Sequence, residues 1–239
     1  MKASVETLPA AAVQNERSAL GVVMDLTKAR LTALVLLTTL VGFYVGSSGP
    51  MDLWLLVQTM FGTALLASGA SALNQLLERE YDARMHRTEN RPLPSGRLQP
   101  DTVLIIGGVT SVAGMVLLAF TVNLLTSVLG AITLVSYVFV YTPLKRVTPF
   151  NTIVGAIPGA LPPLMGWTAA RGEITIEGWS LFAILFFWQL PHFMSIAWIY
   201  REEYAKAGYA MLSVFDPDGE RTSRQTISHT LGLLPVSLA

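Results

Sequence analysis

Long apolar segments separated by polar ones run through the whole chain. Six of them approach the roughly 20 residues that a helix needs to cross a bilayer, near residues 31–49, 53–75, 102–121, 124–142, 151–170 and 179–200. A seventh begins near His229 and stops at Ala239. The pattern predicts an all-α polytopic membrane protein, a transmembrane helix bundle with about six full spans and a partial seventh.

Composition supports a membrane environment. The chain is 52% hydrophobic and only 13% charged, whereas soluble domains carry about 25% charged residues. Cysteine is absent, which excludes disulfides, thiolate metal sites and a cysteine nucleophile. The first 20 residues lack an apolar core and contain Glu6 and Glu16, unlike a cleaved signal peptide. We therefore expect an N-terminal tail over residues 1–30 and a single transmembrane domain over residues 31–239.

The positive charges fall almost entirely on one side of the predicted spans. Of the 16 lysines and arginines, only Arg171 lies on the other side. Because cytoplasmic loops are enriched in lysine and arginine, the N-terminus and the polar loops are expected to face the cytoplasm. The expected location is the bacterial cytoplasmic (inner) membrane.

The first group of polar residues begins near the end of the second span and continues into the loop that follows it. Asn74, Glu78 and Asp82 recur every four residues, so a helix places them on one face over about 12 Å. Carboxylates in that array can hold Mg²⁺, the usual partner of a diphosphate, and Arg87 and Arg91 can bind a diphosphate by forked hydrogen bonds. The alternative is the solvated end of a helix. Against it, Asn74 lies inside the apolar run, where a polar side chain usually turns away from lipid.

The second polar loop leads from His192, inside the sixth span, to Glu203. The two residues are eleven positions apart and face one side if the helix is continuous. A lone histidine is more commonly a core residue whose hydrogen bonds are satisfied, but a histidine within a membrane is more often functional, here as a haem ligand, acid or base.

Lys145 and Arg146 follow the end of the fourth span. They are either anchors at the membrane surface or cations that lie beside the diphosphate bound by the first polar loop.

Small residues and prolines crowd the fifth span. Gly155, Pro158, Gly159, Pro162 and Pro163 all fall inside it. They indicate either a kinked helix that lines a cavity or close helix packing against small residues.

Several strings occur in an order that resembles the UbiA-type intramembrane prenyltransferases and, within that family, the haem O synthase (protohaem IX farnesyltransferase) branch. They are Asn74 to Arg97, Tyr141-Thr142 with Lys145-Arg146-x-Thr148-Pro149-x-Asn151-Thr152, Trp188-Gln189-x-Pro191-His192-Phe193 and Ala207-Gly208-x-x-Met211-Leu212. The Asp-x-x-Met-x-Arg-Thr-x-x-Arg-Pro string from Asp82 and the Pro-His-Phe string favour the haem branch over the quinone and chlorophyll branches.

The resemblance implies a ring of nine transmembrane helices around a central cavity, truncated here at its C-terminal end. It also implies farnesyl transfer from farnesyl diphosphate to a vinyl group of haem B, giving haem O, with Mg²⁺ as cofactor. Membrane lipid surrounds the protein, the next enzyme of haem A synthesis is a candidate partner, and nucleic acid is not expected. By the same resemblance, Asn74, Glu78 and Asp82 bind Mg²⁺ and the diphosphate, with the metal on Glu78 and Asp82. The residues implied to neutralise the leaving diphosphate are Arg87, Arg91, Lys145 and Arg146. His192 is implied to contact haem, and Glu203 is the candidate carboxylate of the second polar loop.

Two other functions stay open at the level of sequence. One is a prenyltransferase that acts on an aromatic quinone or chlorophyll precursor and needs no haem contact. The other is a transporter or non-enzymatic haem-binding membrane protein, which would bind without consuming farnesyl diphosphate. Transporters more typically carry inverted repeats, and no such repeat is evident in this chain.

Overall fold

The computed structural model describes residues 18–238, and these residues form helices and connecting turns without a β-strand. Residues 1–17, which include part of the expected tail and its charges Lys2 and Arg17, lie outside the described range. The helices are α1 (Ala19–Leu26), α2 (Ala29–Gly46), α3 (Leu53–Asp82), α4 (Pro100–Thr121), α5 (Leu124–Val135), α6 (Thr142–Leu144), α7 (Asn151–Arg171), α8 (Ile176–Ile199), α9 (Arg201–Ala207) and α10 (Glu220–Ser237).

Six of the predicted spans are present as helices of the expected length and apolarity. They are α2, α3, α4, the segment Leu124–Leu144, α7 and α8. Large apolar side chains such as Phe61, Ile105 and Phe120 are exposed on their outer faces, as a lipid-facing surface requires. The protein is therefore a polytopic membrane protein, and the predicted all-α fold class is confirmed.

Helix α7 occupies the centre of the bundle and packs against α2, α5 and α8. Its prolines do not interrupt it, and most of its residues are buried. Its glycines permit close approach: a Cβ at Gly166 would clash with the Thr39 carbonyl oxygen of α2, and one at Gly159 would clash with Gln189 of α8. Small-residue packing thus accounts for these two glycines.

The fourth span contains a wide π-helical turn, Ser136–Tyr141, between α5 and α6. The hydroxyl of Thr142 donates to the Tyr137 carbonyl oxygen at 2.8 Å and so helps to satisfy the altered backbone. π-Helical turns inside α-helices frequently lie at functional sites. Here the turn carries Tyr137 and Tyr141 to the polar end of the bundle.

The chain after the sixth span differs from the sequence-based expectation. The helix breaks at Tyr200, whose φ and ψ are −102° and 20°, so α8 and α9 are separate. The condition that one continuous helix joins His192 to Glu203 is therefore not met, and a common face for the two residues does not follow. The last helix, α10, begins at Glu220 and not near His229, because Asp216 accepts hydrogen bonds from the backbone N–H groups of Arg221 and Thr222 and starts it earlier.

Replacing Gly166 by alanine should lower the stability of the bundle. The added Cβ meets backbone of α2, which cannot move aside as a flexible side chain can, and overpacking of this kind costs about 1–3 kcal/mol. The thermal unfolding midpoint in detergent checks this. Gly108→Ala in α4 is the matched control, since nothing lies within 4 Å of its added Cβ, and its midpoint should stay equal or rise. Equal midpoints for the Gly166→Ala variant and the wild type would contradict the packing role of Gly166.

Candidate functional site

The polar face of α3 forms the base of the candidate site. The helix runs without a break through Asn74, Glu78 and Asp82, and their exposed fractions are 0%, 3% and 1%. An amide and two carboxylates so deeply buried need compensating partners. Those partners come from three other parts of the chain.

A cation meets each of the three side chains. Lys28, which precedes α2, donates from Nζ to Asn74 Oδ1 at 2.6 Å. Lys145, which follows α6, pairs with Glu78 at 2.7 Å.

Arg91, in the loop after α3, supplies the third cation and pairs with Asp82 at 2.6 Å. Segments distant in sequence therefore place three cations along one helix face. We call these six side chains the charged cluster: Asn74, Glu78, Asp82, Lys28, Lys145 and Arg91.

The two lysines respond differently to this environment. Burial lowers the pKa of Lys28 to about 7, and the positive charge of Arg91 adds to the effect. Burial is the largest single influence on Lys145 and opposes its charge, but the Glu78 carboxylate and the neighbouring tyrosines together hold the pKa of Lys145 well above its usual range. At neutral pH Lys145 is charged, whereas Lys28 is poised to change its charge.

The π-helical turn completes the inner wall of the site. Asn74 Nδ2 donates to Thr142 Oγ1 at 2.9 Å, and Lys28 Nζ donates to the Tyr137 hydroxyl at 3.4 Å. The Lys145 ammonium lies 4.6 Å from the centroid of the Tyr141 ring, within the range of a cation–π interaction.

The structure brings the two polar loops together. The backbone N–H of Arg87 donates to Glu203 at 3.3 Å, and its guanidinium donates to the Tyr204 hydroxyl at 3.3 Å. The same guanidinium lies 4.9 Å from the centroid of the Tyr200 ring. Arg87 and Glu203, both predicted site residues, are therefore neighbours at the junction of the loops.

Arg146 lies beside α3, next to Leu77 and Tyr81. Its Nη2 donates to the Leu77 carbonyl oxygen at 2.6 Å, and its guanidinium lies 4.0 Å from the centroid of the Tyr81 ring. These contacts engage Arg146 with the helix itself, and in this arrangement its hydrogen bond goes to the backbone and not to Glu78 or Asp82.

His192 is the predicted site residue that the structure leaves apart. Its side chain is exposed on α8, and its ring stacks on Trp188 at 5.2 Å and lies 5.9 Å from Phe193. Over residues 18–238, no hydrogen bond or ring contact joins it to the charged cluster. An exposed, stacked imidazole can still meet a planar ligand from the bundle surface.

A cavity of about 590 Å³ opens between α1, the start of α2 and the loop after α3. Four of its lining residues are cations: Lys28, Arg30, Arg87 and Arg91. Ligand cavities commonly have volumes of about 300–1,000 Å³. An opening of this size and charge suits an anion that approaches the face of α3.

Sequence reasoning missed Lys28 as a site residue and counted it only among the charges that orient the protein. Its backbone has a left-handed conformation at φ 48°, and its side chain reaches a residue 46 positions away. The available signal was a lysine at the start of an apolar span, but lysines that only anchor a helix at the membrane surface occur at the same position. Only tertiary packing separates the two roles.

Glu78 and Asp82 fit a Mg²⁺ ion that arrives with a diphosphate. Within residues 18–238, no group of three acidic or histidine side chains is close enough to hold a metal. Mg²⁺ commonly binds through one or two carboxylates plus substrate phosphates and waters. Two carboxylates at consecutive turns of α3 match that donor set, provided that their lysine and arginine partners turn to the phosphate oxygens.

Comparison with known sequences gives a family and close relatives. Residues 35–239 match the UbiA prenyltransferase family. The chain is 52% identical over 224 residues to a protoheme IX farnesyltransferase of Solibacter usitatus, covering 90% of this chain and 77% of that protein. It is 49% identical to one of Salinibacter ruber, covering 89% of this chain and 75% of that protein.

Solved structures support the fold. A UbiA homologue from Archaeoglobus fulgidus bound to DMAPP and Mg²⁺ superimposes with a TM-score of 0.74 at 17% identity, over 90% of this chain and 75% of that one. A digeranylgeranylglyceryl phosphate synthase structure gives a TM-score of 0.75 at 16% identity, over 91% and 76% of the two chains.

The ion pair at Asp82 should govern stability. Arg91→Leu leaves a carboxylate buried without its partner, which costs about 3–5 kcal/mol. Asp82→Asn in the same background removes that charge, so the double variant should regain much of the loss. Thermal unfolding of the two single variants and the double variant in detergent measures the coupling. Additive losses would contradict the pairing of Arg91 with Asp82.

Proposed function

The chain belongs to the UbiA prenyltransferase family, and from this premise we propose that it transfers a farnesyl group from farnesyl diphosphate to a vinyl group of haem B, giving haem O. The observation that carries the proposal is the row of three cations on the buried amide and carboxylates of α3. The names of the similar proteins from Solibacter usitatus and Salinibacter ruber supply the substrate and acceptor.

The donor end of the site suits a diphosphate because it combines carboxylates with nearby cations. We assign Mg²⁺ to Glu78 and Asp82, with Asn74 holding the inner end of the face. Bound there, the ion neutralises diphosphate charge. The similar Archaeoglobus fulgidus structure, bound to DMAPP and Mg²⁺, supports this use of the metal.

The protein's own cations then act on the leaving group. Breaking the bond between C1 of the farnesyl chain and the diphosphate oxygen leaves an allylic cation and a diphosphate anion. Fixed positive charges lower the barrier by meeting the negative charge as it develops. The residues proposed for this work are Arg87, Arg91, Lys145 and Arg146, and we add Lys28 because its ammonium contacts Asn74.

The acceptor step forms one C–C bond and one C–O bond. The vinyl π electrons of haem B attack C1 of the farnesyl cation, and the cation left on the former vinyl group takes the oxygen of a water molecule and releases a proton. The products are haem O, diphosphate and that proton. We propose His192 as the haem contact, through its exposed and stacked ring, and Glu203 as the second-loop carboxylate that holds Arg87 in place.

The proposed setting is the bacterial cytoplasmic (inner) membrane, with the N-terminus and both polar loops in the cytoplasm. Arg87 and the charged cluster, which includes Lys145 and Arg91, lie at one end of the spans, in keeping with this orientation. We retain residues 1–30 as a tail and residues 31–239 as one transmembrane domain. The next enzyme of haem A synthesis is the proposed protein partner, because it would consume the product.

Purified protein in detergent, incubated with haem B, farnesyl diphosphate and Mg²⁺, should form a farnesyl-plus-water adduct of haem, read by mass spectrometry. Glu78→Gln or Asp82→Asn should lower turnover at least about a hundredfold, since a metal supplies several kcal/mol of transition-state stabilisation, while haem binding is retained. Glu80→Gln is the matched control, because Glu80 is an exposed acid of the same helix.

The pattern of products separates the possible functions. No adduct with haem, but prenylation of an aromatic quinone precursor, would replace the acceptor. Binding of farnesyl diphosphate without its consumption would favour a non-enzymatic role. Full turnover by both acid variants would remove the metal assignment.

Diphosphate affinity should depend on pH through Lys28. With a pKa of about 7 in the ligand-free protein, Lys28 is increasingly neutral above pH 7, whereas a bound diphosphate stabilises its protonated form. Binding then takes up a proton, and the Kd rises with pH by at most about tenfold per unit. Calorimetry with Mg²⁺ and farnesyl S-thiolodiphosphate between pH 7.5 and 9.5 measures this.

Two variants check the assignment to Lys28. Lys28→Arg keeps its charge throughout this range, so its Kd should change less with pH. Lys28→Met should bind weakly at every pH. A wild-type slope that persists in both variants would exclude Lys28 as the titrating group.

A further inference from the structure

Tyr209 carries a buried hydroxyl that the site described so far does not use. The residue lies between α9 and the short 3₁₀ turn Leu212–Val214 and is 3% exposed. Its ring packs with Met85, Ala197 and Met211. Its phenol oxygen has no hydrogen-bond partner among residues 18–238. Buried polar groups are nearly always paired, so an unpaired one needs an explanation.

The ring borders the charged cluster. The Lys145 ammonium lies 5.9 Å from its centroid, and the charges of Glu78 and Asp82 act on its hydroxyl. The backbone N–H of Ala210, the next residue, donates to the Lys145 carbonyl oxygen at 2.7 Å. The segment that carries Tyr209 is therefore fixed against the site.

The hydroxyl is available as a donor. Burial raises the pKa of Tyr209, and the Glu78 carboxylate raises it further, so the phenol keeps its proton at neutral pH. The nearby carboxylates accept hydrogen bonds from Lys145 and Arg91 instead. The protonated Tyr209 hydroxyl thus lies near the Glu78 and Asp82 carboxylates, which already accept hydrogen bonds from other residues.

We propose that Tyr209 is a further substrate-binding residue, whose hydroxyl donates a hydrogen bond to an anionic oxygen of the bound diphosphate. The inference rests on the proposed function, because the diphosphate is what brings free acceptor oxygens to the cluster. If Glu78 held a metal, Lys145 would be released from its ion pair beside the Tyr209 ring. A diphosphate oxygen then supplies a charge-assisted partner.

The alternative is that Tyr209 serves only through the packing of its ring. Tyr209→Phe distinguishes the two, since it keeps the ring and removes the hydroxyl alone. A hydroxyl without a partner in the ligand-free protein contributes no hydrogen bond to the fold. The variant should therefore unfold at the same temperature as the wild type or a higher one.

The test measures the Kd for farnesyl S-thiolodiphosphate with Mg²⁺ by calorimetry, and the unfolding midpoint of the ligand-free protein. A hydrogen bond to a charged group leads us to expect binding that is weaker by about tenfold or more. Tyr44→Phe is the matched control, because Tyr44 is an exposed tyrosine of α2, and its Kd should equal that of the wild type.

Each outcome decides the proposal. Weaker binding with an unchanged or higher midpoint supports it. Equal affinity of Tyr209→Phe and wild type overturns it, as does weaker binding with a lowered midpoint, which would assign the hydroxyl to the fold. A wild-type protein that fails to bind the analogue would overturn the proposed function and, with it, the role of Tyr209.

Discussion

The neutralisation of one buried acidic helix face is the constraint on which the rest of the structure depends. Glu78 and Asp82 lie almost fully buried at the end of a long membrane helix, where an unpaired carboxylate would be prohibitively costly. Lys145 and Arg91 answer these charges, and Lys28 meets the amide above them. Because these cations come from separate segments, satisfying one helix face also fixes how the segments before α2, after α3 and after α6 are arranged.

The same pairing prepares the site for its proposed reaction. A cation that already lies against a carboxylate loses little conformational freedom when an anionic substrate arrives, so its position is fixed in advance. In the proposed reaction, Glu78 and Asp82 would hold the metal, which would supply charge neutralisation, and Lys145 and Arg91 would pair with the phosphate oxygens. Such an exchange of partners would keep opposite charges adjacent, which limits the desolvation penalty.

Hydropathy and spacing predicted much of this arrangement. The apolar runs located the six spans, and the four-residue spacing from Asn74 to Asp82 predicted their common helix face. The role of Lys28 depends on tertiary contacts across 46 positions, which no local pattern encodes. A common helix face for His192 and Glu203 depended on one continuous helix, and the backbone breaks at Tyr200.

The aromatic residues around Lys145 would keep contact with its ammonium if the ion pair with Glu78 opened, as the proposed reaction requires. The Tyr141 ring lies 4.6 Å from the ammonium and the Tyr209 ring 5.9 Å, so the lysine keeps cation–π contacts when Glu78 leaves. The π-helical turn contributes Tyr141, and the segment after α9 contributes Tyr209. The two rings hold the ammonium in place without offering it an anion. In the proposed reaction, the diphosphate is the anion that pairs with the released lysine.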